Sequence, residues 1–112
     1  MSSVRIFFPK LEREEVVARL RERLPLLAQH LDLALVILFG SYAHGNYTVA
    51  SDVDLLVVYR GPGRPDAFGL VKRILALPRL EPHIYSEAEY GALKPTLMGM
   101  TRGGLVLWGD RV

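Results

Sequence analysis

The chain has 112 residues, 50% of them apolar and 23% charged, a balance that fits one soluble globular domain and excludes a disordered or fibrous chain. Its formal net charge of +2 is too small to make the whole surface a trap for nucleic acid, although Arg far outnumbers Lys and suits bidentate phosphate contacts. The absence of cysteine excludes disulfides, thiolate metal sites and cysteine nucleophiles.

The first residues, Met1 to Pro9, carry too short an apolar run for a signal peptide, and no stretch approaches the ~20 apolar residues that span a bilayer. A cytoplasmic location is therefore expected. Residues 10 to 31 place Leu11, Val16, Val17, Leu20, Leu24, Leu27 and Leu31 at spacings of three, four and seven, with Glu and Arg between them. That spacing predicts an amphipathic helix. Pro25 falls inside it, and because proline lacks an N–H and crowds the preceding turn, a kink or a restart is expected there.

Leu33 to Phe39 is an apolar run of strand length that stops at Gly40, as a strand buried on both faces would. Val53 to Tyr59 reads as a second such strand, and Gly61-Pro62-Gly63-Arg64-Pro65 supplies a turn. A helix is expected over 66 to 77, with Asp66 capping its first turn or favouring its dipole. A third strand, Leu80 to Tyr85, precedes a helix that opens near Ser86, where Ser86 and Glu89 match a capping box. Leu105 to Trp108 offers a final strand. With no repeat or linker, the alternation predicts a single α/β (α+β) domain over 1–112, a mixed sheet packed by helices.

Chemistry is concentrated in two segments, Phe39-Gly40-Ser41-Tyr42-Ala43-His44-Gly45 and Ser51-Asp52-Val53-Asp54-Leu55-Leu56, with the ten residues 42 to 51 between Ser41 and Asp52. Strand alternation puts the Asp52 and Asp54 carboxylates on one face, about 7 Å apart along the chain. Like charges so close repel each other unless a cation intervenes, and hard oxygen ligands suit Mg²⁺. Two such ions, roughly 3.5 to 4 Å apart, support in-line displacement at phosphorus. Gly40 allows close backbone approach to a triphosphate, Ser41 adds a hydroxyl and an N–H, and a helix beginning at Ser41 or Tyr42 would aim further N–H groups at the anion.

The bland alternatives are a solvated strand start, a calcium loop or an ordinary turn. No further acids follow Asp54 at EF-hand spacing, and Gly40 with Gly45 satisfies neither the Walker A nor the G-x-G-x-x-G pattern. Gly40-Ser41 thus gains its meaning only beside the aspartate pair. Tyr42 and Tyr47 are expected to pack rather than to hold a base.

The Gly-Ser, ten-residue gap and Asp-x-Asp arrangement resembles the signature of the DNA polymerase beta-like nucleotidyltransferase superfamily. It resembles in particular the minimal nucleotidyltransferases, MntA-like antitoxins that stand beside HEPN-domain toxins. The resemblance covers about residues 11 to 90. It implies the nucleotidyltransferase fold and Mg²⁺-dependent transfer of a nucleoside monophosphate, AMP from ATP, to an acceptor hydroxyl. It also implies a third acid on the next strand, a slot held here by Leu80-Glu81-Pro82-His83-Ile84-Tyr85-Ser86. Glu81 is thereby nominated to complete the metal site with Asp52 and Asp54 and to draw the proton from the acceptor, while Gly40 and Ser41 hold the triphosphate.

Two positions depart from the family pattern. Glu81 replaces the usual Asp, and the following Pro82 removes a ladder donor, so this strand should be an edge or irregular. His44 stands where minimal members often have Arg, replacing a permanent charge with one that titrates near neutrality. His83 and Tyr85 share the Glu81 face by alternation. A tyrosine of a HEPN-type protein is the acceptor the resemblance implies, as in a protein adenylyltransferase. A module that binds nucleotide and inhibits its partner simply by covering it is the alternative from a different class.

Overall fold

A computed structural model describes residues 11–110. The expectation for Met1 to Pro9 lies outside them. Helix α1, Arg13–Ala28, opens with a reciprocal capping box between Glu12 and Glu15 and buries Val16, Leu20, Leu24 and Leu27 along one stripe. It runs on through Pro25 rather than restarting. Pro25 is exposed and sits in the last turn, so the hydrogen bond it forfeits leaves a carbonyl that water can satisfy.

Strand β1, Leu33–Phe39, leads through the single-turn helix α2, Ser41–His44, and a loop into β2, Val53–Tyr59. Helix α3, Ala67–Leu75, carries the chain to β3, Leu80–Ser86, and α4, Glu87–Met100, carries it to β4, Leu105–Gly109. The Ser86–Glu89 capping box forms as expected: Ser86 Oγ accepts from the Glu89 N–H and a Glu89 carboxylate oxygen accepts from the Ser86 N–H. Asp66 precedes α3 but makes no side-chain cap, because its carboxylate is taken by the Arg64 guanidinium through two hydrogen bonds of 3.1 and 2.8 Å.

The four strands form one mixed sheet in the order β3-β2-β1-β4. β1 pairs antiparallel with β2 and with β4, whereas β2 and β3 run parallel, as a strand-helix-strand crossover through α3 requires. β3 is an edge, the place where Pro82 is tolerated. One face packs against α1 and α3 around Val36, Leu38, Val53, Leu55 and Val57. The other carries Leu35, Ile37, Phe39, Leu56 and Val58, with α4 resting on β3 and β2. Asp54 alternates with Leu56 and Val58, so it projects on this second face. No helix among the described residues is long and apolar enough to cross a membrane.

Candidate active site

The site lies where β1 ends beside the start of β2. Phe39 is the cross-strand partner of Asp54, so the turn at Gly40 falls directly against the Asp54 carboxylate. Gly40 has φ +76° and ψ −154°, a region essentially reserved for glycine, and a Cβ built on it would collide with Asp54 Oδ2. The position expected for close approach to phosphate is therefore one where the absence of a side chain leaves room for a carboxylate. The following turn is short: the N–H groups of Ala43 and His44 return to the Gly40 carbonyl, and that of Gly45 returns to Ser41. At its head the N–H groups of Ser41 and Tyr42 find no acceptor among the described residues.

Parallel pairing places Asp54 opposite Glu81 and Leu56 opposite His83. Asp54, Glu81 and His83 consequently share a face, and Asp52, two residues before Asp54, is directed to the same side by alternation. Asp52 and Glu81 are exposed and Asp54 is half-buried. Asp52 Oδ1 lies 3.2 Å from the Arg79 guanidinium, and Asp54 Oδ1 lies 3.7 Å from His83 Nε2. At 3.7 Å the latter contact is longer than a hydrogen bond. His83 Nε2 is buried without a hydrogen-bond partner, while its ring tilts against Phe39 at a centroid distance of 5.2 Å.

Burial pushes the Asp54 carboxyl above its ordinary range; His83 opposes the shift, whereas Asp52 and Glu81 add to it. Asp52 and Glu81 thus both act on the Asp54 carboxyl. The three do not form a finished cage: among the described residues no group of three His, Asp or Glu side chains converges on one point as metal ligands. The donor set itself fits a hard divalent cation, because Mg²⁺ is commonly held by one or two carboxylates together with substrate phosphates and water.

The loop between the cradle and the aspartates is anchored at both ends. Tyr47 stacks on Tyr42, with ring centroids 4.4 Å apart and planes 11° from parallel, and its hydroxyl donates to Glu12 Oε1. Tyr42 donates to the Leu11 carbonyl. Both tyrosines therefore pack, as expected. At the other end Arg79 donates to the carbonyls of Ala50 and Ser51. Sequence reasoning gave no place to Arg79, and although it put His83 on the Glu81 face it did not pair it with Asp54.

The glycine turn and the paired acids thus lie together at one end of the mixed sheet. The family model of the nucleotidyltransferase domain matches residues 13–103, and the chain belongs to that family. Among solved structures, it is similar to a presumptive nucleotidyltransferase from Sulfolobus solfataricus, with a TM-score of 0.61, 22% identity, and coverage of 88% of this chain and 84% of that one. It is also similar to a toxin–antitoxin with AMP-PNP, with a TM-score of 0.54, 22% identity, and coverage of 90% and 76%. A mutant of the toxin–antitoxin MntA-HpeT gives a TM-score of 0.53 at 20% identity, with coverage of 90% and 76%. No curated protein matches the chain.

Proposed function

We propose that this chain is a Mg²⁺-dependent nucleotidyltransferase that moves AMP from ATP to an acceptor hydroxyl, and that the acceptor is a tyrosine of a HEPN-type toxin partner. The observation that carries the reading is the pairing of Asp54 with Glu81 on adjacent parallel strands, with Asp52 just before them and the Gly40-Ser41 turn against Asp54. Asp52 and Asp54 would hold the metal, and Glu81 would complete the site. Bound there, Mg²⁺ supplies charge neutralisation at the phosphates and activation of the attacking hydroxyl.

The remaining roles fall to the chain itself. The Ser41 hydroxyl and the open N–H groups of Ser41 and Tyr42 receive triphosphate oxygens. The Glu81 carboxylate accepts the proton of the acceptor hydroxyl. Tyr47 and Arg79, by fixing the two ends of the intervening loop, keep cradle and carboxylates in one register. Support for a toxin partner comes from the toxin–antitoxin neighbours and from Leu93, Met98 and Met100 on α4, which are 44%, 36% and 38% exposed, apolar side chains of the kind that partners cover.

A second reading, a nucleotide-binding antitoxin module with little catalysis, is favoured by the lack of a converged three-ligand cluster among the described residues. One experiment separates the two. The parent protein and Asp52→Asn plus Asp54→Asn are incubated with α-phosphate-labelled ATP, Mg²⁺ and a host lysate. Transfer predicts label on one species, reduced roughly a thousandfold in the double variant because the metal-supplied stabilisation is worth several kcal/mol. Absence of label with all four nucleotides supports the binding module.

A further inference from the structure

Arg79 is held more firmly than a surface arginine needs to be. Its backbone is in the left-handed region at φ +61°, an uncommon conformation for a residue with a side chain. In that conformation its carbonyl accepts the Val53 N–H at 2.9 Å, the bond that begins the pairing of β2 with β3. The guanidinium then reaches back over the preceding loop. Nε donates to the Ser51 carbonyl at 3.2 Å, and the terminal amine donates to the Ala50 carbonyl at 2.5 Å and lies 3.2 Å from Asp52 Oδ1. One residue therefore touches each of the four positions 50 to 53. A planar fork can do this; the point charge of lysine cannot.

We propose that Arg79 is a positioning residue that sets residues 50 to 53 and neutralises Asp52, yielding Asp52 to a divalent cation more readily when a polyphosphate is present. This rests on the metal-and-nucleotide reading given above. A guanidinium fixed 3.2 Å from a carboxylate repels a second cation approaching the same oxygens. The negative charge of a triphosphate offsets that repulsion. Because the side chains of Arg79 and Asp52 are 52% and 51% exposed, the pair is screened and weak, so the exchange is a modest bias rather than a lock.

The test is a titration of the full chain with Mn²⁺, followed by electron paramagnetic resonance of the free ion, with and without a non-hydrolysable ATP analogue. The parent should bind Mn²⁺ weakly alone and at least about tenfold more tightly with the analogue. Arg79→Gln, and Arg79→Met as a second charge-free variant that keeps the stem, should tighten analogue-free Mn²⁺ binding about two- to fivefold and shrink the gain from the analogue. Arg79→Lys, which retains the charge, should restore weak analogue-free binding. A purely structural arginine predicts the opposite sign, because a loosened loop binds metal less well. Unchanged or weaker Mn²⁺ binding by the folded charge-free variants overturns the assignment of Arg79. No Mn²⁺ binding by the parent even with the analogue overturns the metal-and-nucleotide reading, and this proposal with it.

Discussion

On the face of the sheet covered by α1 and α3, Val36, Leu38, Val53, Leu55 and Val57 share one core with Leu20, Leu24, Leu27 and Leu75, and every one of these side chains is buried. On the opposite face Leu56 and Val58 continue the same apolar rows, but towards the end of the sheet the rows give way to Asp54, Glu81 and His83. The same two central strands serve both faces, so alternation alone sends one set of side chains to packing and the other to charge. The first face supplies stability through apolar burial. The second places the Asp54 carboxylate where burial and the neighbouring Asp52 and Glu81 charges disfavour its ionised form, a condition that a bound cation would relieve.

If that division holds, a cavity on the first face should cost stability and leave the chemistry of the folded molecule alone. Leu24→Ala removes a side chain that is 1% exposed within the α1 stripe. A loss of about 3 kcal/mol is expected in urea unfolding, with transfer per folded molecule unchanged. A matching collapse of activity in the folded fraction would break the comparison.

Gly40→Ala tests the seam between the faces. The new Cβ meets Asp54 Oδ2 in a backbone region that alanine avoids, so about 2 kcal/mol of stability should be lost. The diagnostic result is the disproportion: ATP-dependent transfer should fall much further than stability does, because Asp54 itself must move. Equal losses would mean that the turn is merely structural. Smaller again is Ser86→Ala, which removes the hydroxyl that accepts the Glu89 N–H at the start of α4 and should cost about 1 kcal/mol in thermal unfolding.

The fold was legible in the sequence where local chemistry decides it. Leu33–Phe39 and Val53–Tyr59 were bounded correctly because buried strands are continuous apolar runs, and Pro82 foretold an edge because it cannot donate to a ladder. The restart that Pro25 suggested does not occur, because the penalty for an interior proline depends on where the helix stops, which is a tertiary matter. Asp66 does take the N-cap position of α3 but makes no side-chain cap, because Arg64, two residues earlier, competes for its carboxylate. In the site, spacing brought out Gly40, Ser41, Asp52 and Asp54, and resemblance brought out Glu81. Arg79 left no signal, since its reach depends on a left-handed backbone and on carbonyls nearly thirty residues away. The pairing of His83 with Asp54 likewise follows only from strand order, β3 beside β2.

The smallest expected effect is the one that reads the second face most directly. Because the Asp54 carboxyl lies above the ordinary value of 3.8, the folded state binds its proton more tightly than the unfolded state does. Ionisation of Asp54 therefore opposes folding, and by linkage this loss is complete above the raised pKa and vanishes as pH falls to the unfolded value. Asp54→Asn, which cannot ionise, should escape the loss. In buffer with a chelator, its urea midpoint should exceed that of the parent at neutral pH by less than the Ser86→Ala effect, and the two should converge near 3.8. A variant less stable than the parent at neutral pH would show that attraction from His83 outweighs burial at this position, and that the charged face is balanced without a metal.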